Sequence, residues 1–192
     1  MKRLMTILIL VFLSSTAIVF AADTKDHMYY KSQIQNLRYT YNLCGMFDAI
    51  FKNDTKVLEL YLKDGFSPNS TFAANPAVMY ALFYNKLDAF KMLLEYGADP
   101  ETSVPPCFVS AKSQNLLSFA IKRENSEAVK ILIENNVDVN KKTKKDSPLN
   151  MAIKKKQAKI VELLLTAGAK PDEKTYKLVN KTKDEYIKSL FE

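Results

Sequence analysis

Four short stretches of the chain carry their apolar residues on one helical stripe and then stop in the same way. They are Thr55 to Leu62, Leu87 to Leu94, Ser126 to Ile133 and Ala158 to Leu165, in which apolar positions recur at the three- and four-residue steps of an amphipathic helix. Three residues after each stretch stands Gly65, Gly97, Asn136 or Gly168. A helix commonly ends on a left-handed residue, which glycine supplies at low cost and asparagine next best. Three of the four glycines in the chain are therefore assigned to one task. The stops lie 32, 39 and 32 residues apart, and sixteen residues before each is a small residue, Ala49, Ala81, Ala120 or Ala152. A methyl side chain there lets two helices cross closely. Two landmarks that keep one spacing, with a period near 33, predict a stacked array of helix, turn, helix and capped loop. The expected helix pairs fall at about 44–52 and 55–63, 76–84 and 87–96, 116–123 and 126–135, and 148–155 and 158–167. Pro76 is expected in the first turn of its helix.

In the fourth unit the first helix opens with Ser147-Pro148-Leu149-Asn150-Met151-Ala152, and the second closes with Leu164-Leu165-Thr166-Ala167-Gly168-Ala169. This resembles the ankyrin family, whose first helix opens with Thr-Pro-Leu-His-x-Ala. The other units depart from that opening, with Cys44-Gly45-Met46-Phe47-Asp48-Ala49, Pro76-Ala77-Val78-Met79-Tyr80-Ala81 and Asn115-Leu116-Leu117-Ser118-Phe119-Ala120. The likeness covers roughly residues 42–172 and is firmest in the second helices. It implies an all-α ankyrin-repeat solenoid of about four helix-turn-helix units with helical caps. The domain expectation is a leader at 1–22, an N-terminal capping helix at 23–42, and repeats at about 43–70, 71–101, 110–141 and 142–172. A long finger loop at 101–114 and a C-terminal helical cap at 173–192 complete it.

The amino terminus has a different character. Met1-Lys2-Arg3 precedes the apolar run Leu4 to Leu13, then polar Ser14-Ser15-Thr16 and the small-residue exit Val19-Phe20-Ala21-Ala22. This is the layout of a secretory signal peptide, with cleavage expected after Ala21 or Ala22. An uncleaved membrane anchor is the alternative. Both put the repeats outside the cytoplasm, periplasmic or secreted, and the lysine- and asparagine-rich chain resembles an exported bacterial type. Losing residues 1–22 removes Lys2 and Arg3 and no acid, which lowers the net charge from +7 to +5. A moderately basic chain attracts acidic partners, although a lysine-rich surface also serves solubility.

Two cysteines, Cys44 and Cys107, can join in an oxidising compartment or remain separate thiols, and the sequence leaves both open. Cys107 lies in Glu101 to Gln114, the connection seven residues longer than the others. Its Pro105-Pro106 pair is expected to block strand pairing, so that this finger is not a simple hairpin. Insertions in repeat arrays usually land on one face, often the binding face.

Catalysis finds little to work with. The one histidine, His27, stands in the expected capping helix, which excludes paired-histidine metal sites and leaves no evident Ser-His-Asp or Cys-His set. No phosphate-cradling glycine loop and no nucleophile elbow is present. Asp48, Asp54, Glu59 and Asp64 lie near one another in the first unit, so an acid-pair hydrolase, with Asp48 and Glu59 as its test positions, is carried as a third hypothesis. The expectation is a non-enzyme with no cofactor, metal or small-molecule substrate.

Binding is better supported. In such a repeat the first helices and the fingers line a concave side, and the second and third residues after each landmark alanine stand at its exposed end. These are Phe51 and Lys52, Phe83 and Tyr84, Lys122 and Arg123, and Lys154 and Lys155. The ankyrin resemblance implies the same positions as partner contacts, and Lys144 and Lys145 in the last finger join them. Down the stack the set changes from aromatic to cationic, which suits anchoring at one end and steering of an acidic partner at the other. The leading expectation is a protein-protein interaction module, a scaffold, stabiliser or inhibitor. The alternative is an electrostatic binder of anionic envelope surface or nucleic acid through lysines 141, 142, 144, 145, 154, 155 and 156, with nucleic acid ranked below a protein partner.

Overall fold

The computed structural model describes residues 26–104, 114–143 and 146–192. The expected leader at 1–22, Cys107 with most of its loop, and Lys144 and Lys145 lie outside the described residues. Helix α1 covers 26–36. Four helical pairs follow: α2 (Leu43–Lys52) with α3 (Thr55–Lys63), α4 (Ala77–Phe83) with α5 (Leu87–Glu95), α6 (Leu116–Lys122) with α7 (Ser126–Glu134), and α8 (Pro148–Lys154) with α9 (Ala158–Thr166). Two short helices, α10 (Glu173–Lys181) and α11 (Glu185–Ser189), end the chain. The observed ends fall within a few residues of those expected. Pro148 occupies the first turn of α8 beneath its Ser147 cap, but Pro76 precedes α4 as its N-cap residue instead of lying in its first turn.

The pairs stack in two rows. The first helices α2, α4, α6 and α8 pack side by side, and the second helices α3, α5, α7 and α9 form the row behind. Ala49, Ala81, Ala120 and Ala152 are fully buried where the rows cross. The four stops are left-handed as expected, with φ of 87° at Gly65, 90° at Gly97, 60° at Asn136 and 86° at Gly168. A second left-handed position recurs four residues after each landmark alanine, in the tight turn between the paired helices. It holds Asn53, Asn85, Glu124 and Lys156, with φ of 57°, 55°, 58° and 56°. Side chains with a Cβ are strained there and glycine is not. Lys156→Gly is therefore expected to stabilise the chain by about 1 kcal/mol, visible as a rise in melting temperature.

Between the pairs the chain forms fingers. Strand β1 (Thr71–Phe72) pairs antiparallel with β2 (Asn75–Pro76), and its tip, Ala73 and Ala74, is left-handed at both residues, as a tight hairpin requires. Strand β3 (Ser103–Val104) pairs with β4 (Gln114–Asn115). This corrects the expectation that the proline pair blocks strand pairing: the ladder is formed by Ser103 and Val104, which precede Pro105 in the sequence. Cys44 is exposed at the start of α2 and has no disulfide partner among the described residues. Loop to loop, Asn69 donates to the Gly97 carbonyl and accepts from the Asp99 amide, and Asn140 does the same with Gly168 and Lys170.

Both ends of the stack are covered. From α1, Ile34 is fully buried in the core, and His27 Nδ1 lies 3.1 Å from the Asp64 carboxylate at the end of α3, to which the Tyr41 hydroxyl also donates. At the other end α10 packs on α8 and α11 on α9, so the C-terminal cap continues both rows as a shortened fifth pair. Asp172 caps α10: it accepts from the Thr175 amide at 2.9 Å and from Asn150 at 3.2 Å. The Thr175 backbone bond foremost, then the Asn150 and Thr175 side chains, hold its carboxyl well below the ordinary 3.8. A carboxyl lowered by folding stabilises the folded chain above its unfolded value, and that stability is lost as pH falls through the folded one. Acidification below about pH 3.8 is therefore expected to free α10 before the central pairs unfold. Hydrogen exchange across a pH series is expected to show this, with Asp172→Asn giving a weaker acid response.

Candidate protein-binding face

The first-helix row carries an exposed set of rings. Phe51, at the end of α2, is 46% exposed and Tyr84, after α4, is 40% exposed; their centroids lie 5.2 Å apart, edge to face. Tyr84 also meets Tyr80 at 4.7 Å and Phe83 at 5.1 Å. The ladder continues from Tyr80 to Phe47 at 5.2 Å, and from Phe47 to Phe72 on the first finger at 5.4 Å. Edge-to-face and tilted contacts of this kind suit the ring quadrupoles and fix the rings against one another. Burial, with Tyr84 and Asp48 adding, pushes the Tyr80 hydroxyl above its ordinary 10, so it is uncharged at neutral pH.

Cations sit against this ladder and beyond it. Lys86 lies 5.3 Å above the Phe51 ring. Arg123 spans two rings, 5.6 Å from Phe83 and 5.7 Å from Phe119, and donates to the Phe83 carbonyl at 3.4 Å. A guanidinium over two rings is attracted to both and loses little freedom on meeting a ligand. Lys52 pairs with Asp48 at 2.7 Å and lies over Tyr39, Lys154 pairs with Asp146 at 2.7 Å, and Lys155 pairs with Glu124 at 3.0 Å. Lys122 is exposed.

The sequence-expected residues thus divide. Phe51, Tyr84, Lys52, Lys122, Arg123, Lys154 and Lys155 are exposed along one row, whereas Phe83 is half-buried because Phe119 of the next unit stacks on it at 6.2 Å. Three members of the face escaped the sequence: Tyr80, Phe72 and Lys86. Tyr80 lies one helical turn before Tyr84 and was open to discovery by that spacing. Phe72 is brought in by the finger, which no periodicity signals.

The four acids of the first unit do not form a pair. Asp48 holds Lys52, Asp54 caps α3 and accepts from Tyr39, Glu59 holds Lys63 at 2.8 Å, and Asp64 engages His27 and Tyr41. Among the described residues no group of three histidines, cysteines or acids is arranged to hold a metal, and no helix is long and apolar enough to cross a membrane.

Residues 102–175 match the family model for ankyrin repeats (3 copies). The fold is an all-α ankyrin-repeat solenoid. The match takes in units three and four, the latter with the opening motif Ser147-Pro148-Leu149-Asn150-Met151-Ala152, while units one and two repeat the same backbone geometry outside the matched residues. An ankyrin repeat protein of fowlpox virus (strain NVSL) is 32% identical over 134 residues, covering 55% of this chain and 18% of the relative. The chain therefore spans less than a fifth of that relative's length. The relative is viral, and the expectation of a bacterial source draws no support from it. Ankyrin repeats generally mediate protein-protein interaction, and proteins built from them are typically non-enzymatic scaffolds.

Proposed function

We propose that the chain is a non-catalytic module that binds another protein through its first-helix face, outside the cytoplasm after removal of residues 1–22. One observation carries this: Phe51 and Tyr84 are large, exposed and held in contact with each other, in a ladder of rings flanked by cations. Apolar rings held rigid in water lose little entropy when a partner covers them, which is the character of an interface anchor. The charge-only alternative is the weaker one, because Lys141, Lys142, Lys154 and Lys155 already have acids within 3.2 Å. Binding to anionic lipid or DNA is expected to collapse between low and physiological salt.

The test is affinity capture from the envelope fraction of the source cells, comparing the wild type with Phe51→Ala/Tyr84→Ala. These rings are exposed, so the variant is expected to keep its melting temperature while the captured protein falls by tenfold or more, the scale of a lost anchor. Equal capture by both forms removes this face as the binding site. The amino-terminal sequence of the exported protein, beginning at Ala22 or Asp23, tests the leader.

A further inference from the structure

Granting that the face binds a protein, the spacing and polarity of its side chains specify what kind of segment lies on it. The six positions that follow the landmark alanines in units one and two, Phe51, Lys52, Asn53, Phe83, Tyr84 and Asn85, include one cation and no acid. In units three and four the equivalent six hold Lys122, Arg123, Lys154, Lys155 and Lys156 against the single acid Glu124. An apolar end is thus joined to a cationic end. Neighbouring first helices pack side by side, which sets successive units about 8 to 10 Å apart. One side chain per unit is therefore presented at roughly that step, from Tyr84 to Arg123 to Lys155.

A partner backbone must repeat at the same step to meet all three. A β-strand returns to one face every two residues, about 6.6 Å, and its next return is at about 13 Å, so it drifts out of register. A polyproline-type chain returns every three residues, about 9.3 Å, and stays in register over three units. An α-helix also returns near 10 Å at every seventh residue, but its intervening residues must enter the crevice between adjacent helices. Between α4 and α6 that crevice is filled by the stacked Phe83 and Phe119 rings beneath Arg123. Polyproline segments are also the class that docks on exposed aromatic ladders.

We infer that the partner presents an extended, polyproline-type acidic segment, with an apolar residue against Phe51 and Tyr84 and carboxylates three and six residues further on against Arg123 and Lys155. Arg123 is held over its rings with one donor used among the described residues, which leaves its fork for a carboxylate. Lys155 exchanges its exposed bond to Glu124 for the incoming acid.

The probe is a fluorescein-labelled peptide, Pro-Ile-Pro-Pro-Glu-Pro-Pro-Glu-Pro, used with its reversed sequence and with a permuted control whose acids stand two and four residues after the isoleucine. Fluorescence anisotropy against the purified protein is expected to show one chain direction binding at least tenfold tighter than the control. Arg123→Glu/Lys155→Glu is expected to abolish that preference while circular dichroism and melting temperature hold. Equal binding of the permuted peptide, binding unaffected by the charge reversal, or no binding at millimolar peptide overturns the inference. So does competition by anionic vesicles or DNA at physiological salt that displaces the peptide completely. If the peptides fail while capture still depends on Phe51 and Tyr84, the face stands and only the partner's chemistry is wrong.

Discussion

Gly45→Ala is expected to destabilise the first unit by about 3 kcal/mol, the upper range for forcing an atom into a filled site. Gly45 is buried in α2, and its backbone is not left-handed, so the need for glycine here is one of space. A Cβ at this position lies under 3.0 Å from the Thr40 carbonyl carbon and closer still to its oxygen and to the Tyr61 hydroxyl. Tyr61 is fully buried and donates to that same carbonyl at 2.5 Å, tying α3 to the chain that enters α2. The added methyl must therefore displace backbone as well as a ring. Tyr61→Phe removes one obstacle and leaves the carbonyl, so the double variant is expected to recover only part of the loss. Urea denaturation of the four members of this cycle measures it. A Gly45→Ala protein as stable as the wild type shows that the Thr40 turn has another conformation open to it.

The stops at Gly65, Gly97, Asn136 and Gly168 were legible because each answers to its own backbone: a helix that must end there needs a residue tolerant of positive φ. Gly45 stood in plain view and its purpose did not, since that depends on Thr40 and Tyr61, and the latter is sixteen residues away. The left-handed turns within the pairs were hidden differently. Asn53 and Asn85 advertise the conformation, but Glu124 and Lys156 adopt it with no sign in their chemistry. The candidate face was half legible. Spacing from the landmark alanines located Phe51, Tyr84 and Arg123, while the burial of Phe83 and the arrival of Phe72 depend on neighbouring units and a finger. The second finger shows the same limit: local proline chemistry argued against strand pairing, and only the backbone shows that Ser103 and Val104 pair with Asn115 and Gln114.

Phe90→Ala is expected to cost about 3 to 5 kcal/mol, the usual range for emptying a buried aromatic site. Phe90 lies seven residues before its stop, in the row that also holds Leu58, Val129 and Val161, all fully buried, and it is the largest of the four. Its helix α5 packs against α4, α3 and α7, so the cavity opens at the junction of three units. Repeat stability is close to a sum of unit and nearest-neighbour terms, and whole domains are held by only about 5 to 15 kcal/mol. A loss of this size in unit two therefore does more than lower a midpoint, because it separates α1 and the first unit from units three and four. Urea titration is expected to resolve two transitions where the wild type shows one, with Val161→Ala in α9 leaving a single, mildly shifted transition. Because Phe51 and Tyr84 sit on either side of the weakened junction, peptide binding is expected to vanish with the first transition. One coincident transition with less than about 1 kcal/mol lost means that α5 closes over the cavity, and the stack is then more plastic than its fixed spacing implies.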